Sequence, residues 1–362
     1  MGHIYTLALL ACGLLFSIAS LAQNNQEVLS DTAYLPPVVE YRGPPAYPRS
    51  QIRMGNVGAV ELSFMVDSQG EPFEIIVLRS THNAFESNTI SAVEGYRYKP
   101  ASIDGSPVAA RQSTVVFFEM EGQYNTVSKK FSRNFDRAQK MFVDRPLDER
   151  KLEKISAHIK KVTSPKKKRM CEHAFSYLLQ YQYAFEKSDP SQQINALNML
   201  LMFDRDEFNK WSCLNLDQTV FFRNAHLELL RANRHFGEEL TSYLRFNKLH
   251  PDLAVKHFTG RKEEIAQSSS TVSGSSREVE LPDRGYAVIE LFGGQFSIGS
   301  VEGALSELKL RCDTGFLELE PEADKFYQIP ENLQRCELQV IGDAMTRLTL
   351  NQTRGNYSDH SS

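Results

Sequence analysis

The stretch VELSFMVDSQGEPFEIIV, residues 60–77, decides how the amino-terminal part of the chain folds. Val60, Leu62, Phe64 and Val66 fall on alternate positions, and so do Phe73, Ile75 and Val77 after the polar loop Asp67-Ser68-Gln69-Gly70. A two-residue repeat puts alternate side chains on one face, so both runs predict half-buried strands. The loop ends in the glycine that a tight hairpin requires. Working outward, Asn83 and Glu86 have the spacing of a helix capping box, and Gly95 is placed to stop that helix. Phe85, Thr89, Ala92 and Val93 then share one helical face. The segment from Tyr96 to Ala101, a turn at Asp104-Gly105 and a last strand from Thr114 to Phe118 complete a β-β-α-β order.

Tyr47-Pro48, Gly58, Val66-Asp67, Gly70, Ser80, Ala92, Tyr96, Tyr98, Pro100-Ala101, Gly105 and Val115 to Phe118 follow one another in the order and spacing of a known family. On these residues, 44–121 resembles the C-terminal domain of TonB, the energy transducer of Gram-negative envelopes. Tyrosines stand where the family usually has Trp and Phe, and Ala92 stands alone where a pair of alanines is usual. The resemblance implies a small α+β domain that binds the amino-terminal box of an outer-membrane receptor by taking it up as an extra strand. Carried over, the peptide-binding edge is Gln112, Ser113, Thr114, Val115, Val116, Phe117 and Phe118, with the role placed on the backbone and the side chains left to the core.

At 362 residues the chain is long enough for several domains, each with its own core. A net charge of -4 gives no overall attraction to nucleic acid, which is excluded as a partner class. Ile4 to Ala22 is almost wholly apolar and ends in the small residues of a signal-peptidase site, so residues 1–22 read as a cleaved secretory signal and the location as the periplasm. The same run is long enough for a retained inner-membrane anchor, the alternative reading. Residues 23–43, polar and then proline-bearing at Pro36-Pro37, read as an extended linker, without the long Pro- and charge-rich spacer of a full TonB. Beyond Cys12, the cysteines are Cys171, Cys213, Cys312 and Cys336. Four cysteines allow three connectivities, of which Cys171-Cys213 and Cys312-Cys336 keep each bridge within one region. An exported context favours such bridges over free thiols.

Residues 125–262 carry helical periodicity. Asp148 to Lys161 reads as one helix, Asp189-Pro190 as the start of another, and Ile194, Leu197, Leu200 and Leu201 as its apolar stripe. Paired helices of this length suggest tetratricopeptide (TPR)-like hairpins, with a plain bundle as the alternative. The basic run Pro165 to Arg169 reads as a solvated loop. Residues 263–277 are rich in Ser and Thr and read as a flexible linker. From 278 to 352 short alternating runs, among them Tyr286 to Leu291, Leu308 to Cys312 and Cys336 to Val340, read as a β-sandwich, followed by a polar tail, 353–362.

No phosphate loop, nucleophile motif or cluster of metal-ligating residues is found, so no enzyme, cofactor or metal site is expected. Asp313-Thr314-Gly315 matches the aspartic-protease tripeptide, but that chemistry needs two such carboxylates and there is one copy. The function expected is that of a periplasmic adaptor in TonB-type transmembrane transport. Its partner would be a TonB-dependent receptor of the outer membrane or another envelope protein. The alternative is a membrane-anchored energy transducer working with inner-membrane motor proteins.

Overall fold

Alternate apolar residues along 58–80 do form a hairpin, and the rest of the fold is built against it. The structure is a computed structural model that describes residues 34–121, 126–163, 168–204, 213–271 and 274–353. Residues 1–22, the basic run up to Lys167 and the tail after Thr353 lie outside the described residues.

The amino-terminal unit runs β1 (Tyr34–Leu35), β2 (Val38–Tyr41), α1 (Arg49–Met54), β3 (Gly58–Val66), β4 (Pro72–Ser80), a single 3-10 turn, α2 (Glu86–Glu94), β5 (Arg97–Lys99), β6 (Ala101–Ile103), β7 (Ser106–Val108) and β8 (Ala110–Phe118). The β-β-α-β order is therefore present, with a helix before it and short strands inside it. β3 is the middle of an antiparallel sheet ordered β4-β3-β8. Val60, Leu62, Phe64 and Val66 meet Phe85, Val93, Tyr96 and Phe118 in one apolar cluster under α2. The helix is capped differently from the expected box: the His82 ring nitrogen accepts the Ala84 N–H at 3.0 Å, and Asn83 is already inside the turn. The part of the expected linker that is described is not loose. Tyr34 and Leu35 pair with β6, and Val38 to Tyr41 pair with β5.

Helices α3 (Lys129–Val143), α4 (Glu149–Thr163), α5 (Met170–Glu186), α6 (Pro190–Leu201), α7 (Leu216–Ala232), α8 (Phe236–Leu249), α9 (Pro251–Phe258) and α10 (Arg261–Thr271) follow. Each packs on its neighbour in sequence up to α9, and α10 returns onto α8. Asp189 caps α6 by accepting the Gln192 N–H, with Pro190 in the first turn, as the sequence indicates. Cys171 and Cys213 are joined, tying α5 to the residues just before α7. The serine-rich stretch is not a linker: helix continues through Thr271 and strand resumes at Gly274.

The carboxy-terminal strands are β9 (Gly274–Glu280), β10 (Tyr286–Glu290), β11 (Gln295–Glu302), β12 (Leu305–Cys312), β13 (Gly315–Leu319), β14 (Phe326–Gln328), β15 (Cys336–Gly342) and β16 (Arg347–Thr353). They form two antiparallel four-stranded sheets, β10-β15-β12-β13 and β14-β11-β16-β9. Leu308, Leu310, Leu338 and Val340 from the first sheet share a core with Phe296, Ile298, Leu348 and Leu350 from the second. Cys312 and Cys336 lie directly opposite each other on β12 and β15 and are bonded inside that core. Asp313 and Thr314 make the β12–β13 turn, which is the role the isolated tripeptide has here.

Candidate peptide-binding edge

Every position of β3 is buried, which the alternating pattern does not foretell. One face lies under α2; the other carries Ala59, Glu61, Ser63 and Met65. This second face is covered by the two carboxy-terminal regions. Val57 and Ala59 join Val115 and Phe117 in a cluster with Cys171, Leu200 and Phe203 of the helical region. Glu61 is held by Arg79 and, at 2.5 Å, by Arg245 of α8. Burial acts to raise the pKa of Glu61, but the two guanidinium groups outweigh it and hold the carboxyl below the usual range. Ser63 donates to Glu337 of β15 at 2.6 Å. Polar residues that look solvent-facing in the sequence are thus interface residues, and each charge has a partner, as buried charge requires.

The two edges of this sheet are treated differently. On β4, the hydroxyl of Tyr286 donates to the carbonyl of Val77 at 2.8 Å and accepts its N–H at 3.2 Å. Arg284 donates to the same carbonyl at 2.8 Å, and Arg311 donates to the carbonyl of Glu74 at 2.7 Å. Lys309 holds the Glu74 carboxylate at 2.9 Å. The edge of β4 is therefore occupied by side chains from the third region. Such capping is one way a protein prevents unwanted strand pairing.

β8 pairs with β3 along its whole length, from Gly58↔Phe118 to Val66↔Ala110, and no strand pairs with its other side among the described residues. Its first residues are pinned. Arg111 reaches Glu290 at 2.8 Å, Glu337 at 3.0 Å and Asp313 at 3.5 Å. The Arg111 carbonyl accepts from the side chain of Gln112 at 2.9 Å. Beyond that point Ser113 is exposed and Thr114 and Val115 are half-buried. Val116 and Phe118 pack under α2, while Val115 and Phe117 face the helical region. The side chains of the expected edge thus belong mostly to two cores.

The motif residues hold this unit together. The Tyr47 hydroxyl donates to the carbonyl of Asn56, and its ring meets Phe85 and Phe118 edge-on at 5.8 and 5.4 Å. Pro48 precedes the first turn of α1. Gly58 lies where a Cβ would come within 2.4 Å of the Thr81 hydroxyl. Gly70 has φ +85° and would place a Cβ 1.8 Å from the carbonyl of Tyr98, whose N–H bonds to Gly70 at 3.0 Å. Tyr96 and Tyr98 are buried, with Arg42 over the Tyr96 ring at 5.4 Å, and Pro100 leads into β6. The residues that sequence reasoning missed are Arg111, Tyr286, Arg284, Lys309 and Arg311. The available signal was charge alternating with leucine along β12, in Leu308-Lys309-Leu310-Arg311.

Among the described residues no group of His, Cys, Asp and Glu could hold a metal ion, and no helix is long and apolar enough to cross a membrane.

Residues 43–120 match the family model described as the Gram-negative bacterial TonB protein C-terminal. Protein TonB of Vibrio cholerae is 30% identical over 105 residues, 29% of this chain and 42% of that protein, so the chain spans less than half the length of this relative. The solution NMR structure of the Pseudomonas aeruginosa TonB CTD is 30% identical and covers 26% of this chain and 92% of that one, with a TM-score of 0.22.

Proposed function

We infer that this chain, whose residues 43–120 form a domain of the TonB C-terminal family, serves TonB-dependent transport as a periplasmic adaptor that takes up an extended peptide along β8. The peptide would belong to an outer-membrane receptor or another envelope protein. The observation that carries the reading is the asymmetry of the two sheet edges: β4 is capped by Tyr286, Arg284 and Arg311, whereas β8 has a strand on one side alone among the described residues. Backbone hydrogen bonds then supply affinity, and the side chains of the incoming strand supply selectivity. We read the helical region as TPR-like hairpins and the two carboxy-terminal sheets as a β-sandwich. Both act as a rigid backing that fixes the second face of the peptide-binding sheet.

Because the Arg111 carbonyl is met by a side chain, the two-residue repeat assigns the outward backbone groups to Ser113 and Val115. The test compares Val115→Pro with Val116→Pro in the full chain, using a synthetic receptor-box peptide and fluorescence anisotropy. Val115→Pro removes an outward N–H and is expected to abolish binding while leaving the fold intact. Val116→Pro removes an N–H directed at β3 and is expected to lower stability. A folded Val115→Pro protein that binds the peptide as the parent does would refute the assignment of the edge.

A further inference from the structure

The helical region opens with a pair of helices whose charge is opposite in sign to that of the chain. Together α3 and α4 carry ten Lys and Arg against three Asp and Glu, a surplus of seven positive charges, while the whole chain stands at -4. The pair is thus a basic part of an otherwise acidic chain, and such an asymmetry attracts anions to one surface.

The period of α3 sorts these charges. Phe131, Ala138 and Phe142 are buried in the cluster shared with α4 and α5. Lys130, Arg133, Arg137 and Lys140, at i, i+3, i+7 and i+10, form a stripe along the exposed side. Asp136 is the one carboxylate of this helix. Among the described residues none of the four cations forms an ion pair. α4 adds Lys154, Lys160 and Lys161, which are exposed as well. The acidic groups near the α3–α4 turn are already matched: Arg145 holds Glu186 at 2.6 Å, Lys187 holds Glu149 at 2.9 Å and Lys151 holds Asp144 at 3.5 Å. The first two of these pairs tie the turn to the end of α5. At this end two large apolar side chains lie open, Val143 at 77% exposure and Phe185 at 60%.

Three kinds of partner carry enough negative charge to match this surface. A nucleic-acid strand calls for exposed aromatic rings to stack on, whereas Phe131, Phe135 and Phe142 of α3 are packed into the core cluster. An acidic polypeptide calls for a groove or a sheet edge, whereas the stripe is the ridge of a helix. A bilayer of anionic lipid asks for spread cations and a few apolar groups that enter the headgroup layer, and both are present. We propose that α3 and α4 form a surface that adsorbs to a bilayer of anionic phospholipid, with Lys130, Arg133, Arg137 and Lys140 on the headgroups and Val143 and Phe185 at their boundary. Attraction of this kind grows with each cation and is screened by salt. It does not depend on what β8 binds.

The test is co-sedimentation of the full chain, at limiting lipid, with vesicles of phosphatidylglycerol and phosphatidylcholine. Vesicles of phosphatidylcholine alone are the uncharged reference, which also records any insertion of the apolar run Ile4 to Ala22. Partitioning is expected to be at least about tenfold stronger on the charged vesicles and to fall as salt is raised. Arg133→Glu, Arg137→Glu and Lys140→Glu together are expected to remove that excess. Lys248→Glu, Lys256→Glu and Lys262→Glu, the same change of charge on exposed positions of α8, α9 and α10, are expected to retain it. Val143→Ser with Phe185→Ser is expected to lower it about threefold. All the substituted side chains are exposed, and circular dichroism establishes that each variant is folded. Equal partitioning on the two kinds of vesicle, equal loss in the two charge-reversed proteins, or an unchanged excess in the first of them or in the serine variant would each overturn the proposal. So would binding to poly-L-glutamate without binding to the charged vesicles.

Discussion

The hydroxyl of Tyr286 closes both backbone groups of Val77, a residue 209 positions away in sequence. One side-chain oxygen thereby takes the place of a neighbouring strand at the middle of β4. Arg284 donates to the same carbonyl. The contact blocks one edge of the TonB-like sheet and docks the carboxy-terminal sheets on it.

Tyr286→Phe removes the partner of the Val77 N–H and leaves the carbonyl to Arg284. The expected loss is about 1–2 kcal/mol in urea denaturation, the cost of one buried group left unsatisfied. The double variant Tyr286→Phe, Arg284→Ala is expected to expose the β4 edge and to self-associate in sedimentation velocity, which the single variant does not.

Gly70→Ala is expected to be among the most damaging single substitutions in the amino-terminal unit. A Cβ there lies 1.8 Å from the Tyr98 carbonyl, at φ +85°. The Tyr98 backbone must move, and with it the bond from its N–H to Gly70. A loss of roughly 3 kcal/mol or more follows from strain and the broken bond. By contrast Gly105→Ala, also at positive φ but in open space, is expected to cost only about 1 kcal/mol. Thermal denaturation of the two variants side by side checks the contrast.

Glu290 gives the interface a pH dependence of definite sign. Burial pushes its pKa up to about 7, Arg111 opposes and the charge of Glu337 adds. The folded state thus holds this proton more tightly than the unfolded chain, whose glutamates titrate near about 4.3. The associated stability is fully present below that unfolded value and is lost as the pH rises through about 7. Glu290→Gln mimics the protonated form at every pH. Its stability is expected to change less than the parent's between about pH 5 and about pH 7.5, by on the order of 2 kcal/mol. Parallel slopes for the two proteins over that interval would contradict the assignment.

The two disulfides close loops of different length, with a sequence separation of 42 for Cys171 and Cys213 and of 24 for Cys312 and Cys336. Replacing each pair by serine is expected to cost about 4 and about 3 kcal/mol, from the loop-closure entropy returned to the unfolded chain. Serine at the second pair also buries hydroxyls in an apolar core, so Cys312→Ala, Cys336→Val is the cleaner variant there. Mass analysis with and without reductant checks the pairing, and calorimetry checks the cost.

The sequence by itself determined the local elements and one face of each. The repeat in residues 60–77, the glycine at position 70 and the aromatic residues Tyr96 and Tyr98 specify the hairpin and its core under α2, because strand periodicity and steric tolerance are local properties. Alternation along β12 and β15 placed Cys312 and Cys336 on one face by the same logic. What the tertiary structure decided is the fate of the opposite faces. Glu61, Ser63, Arg111 and Glu337 occupy alternating polar positions, which in sequence look the same whether they meet water or a charged partner from another region. Coulombic pairing has no sequence period, and its partners here lie on α8, β10 and β15. That the β4 edge of the central sheet is covered also follows from long-range contacts alone, those of Tyr286, Arg284 and Arg311.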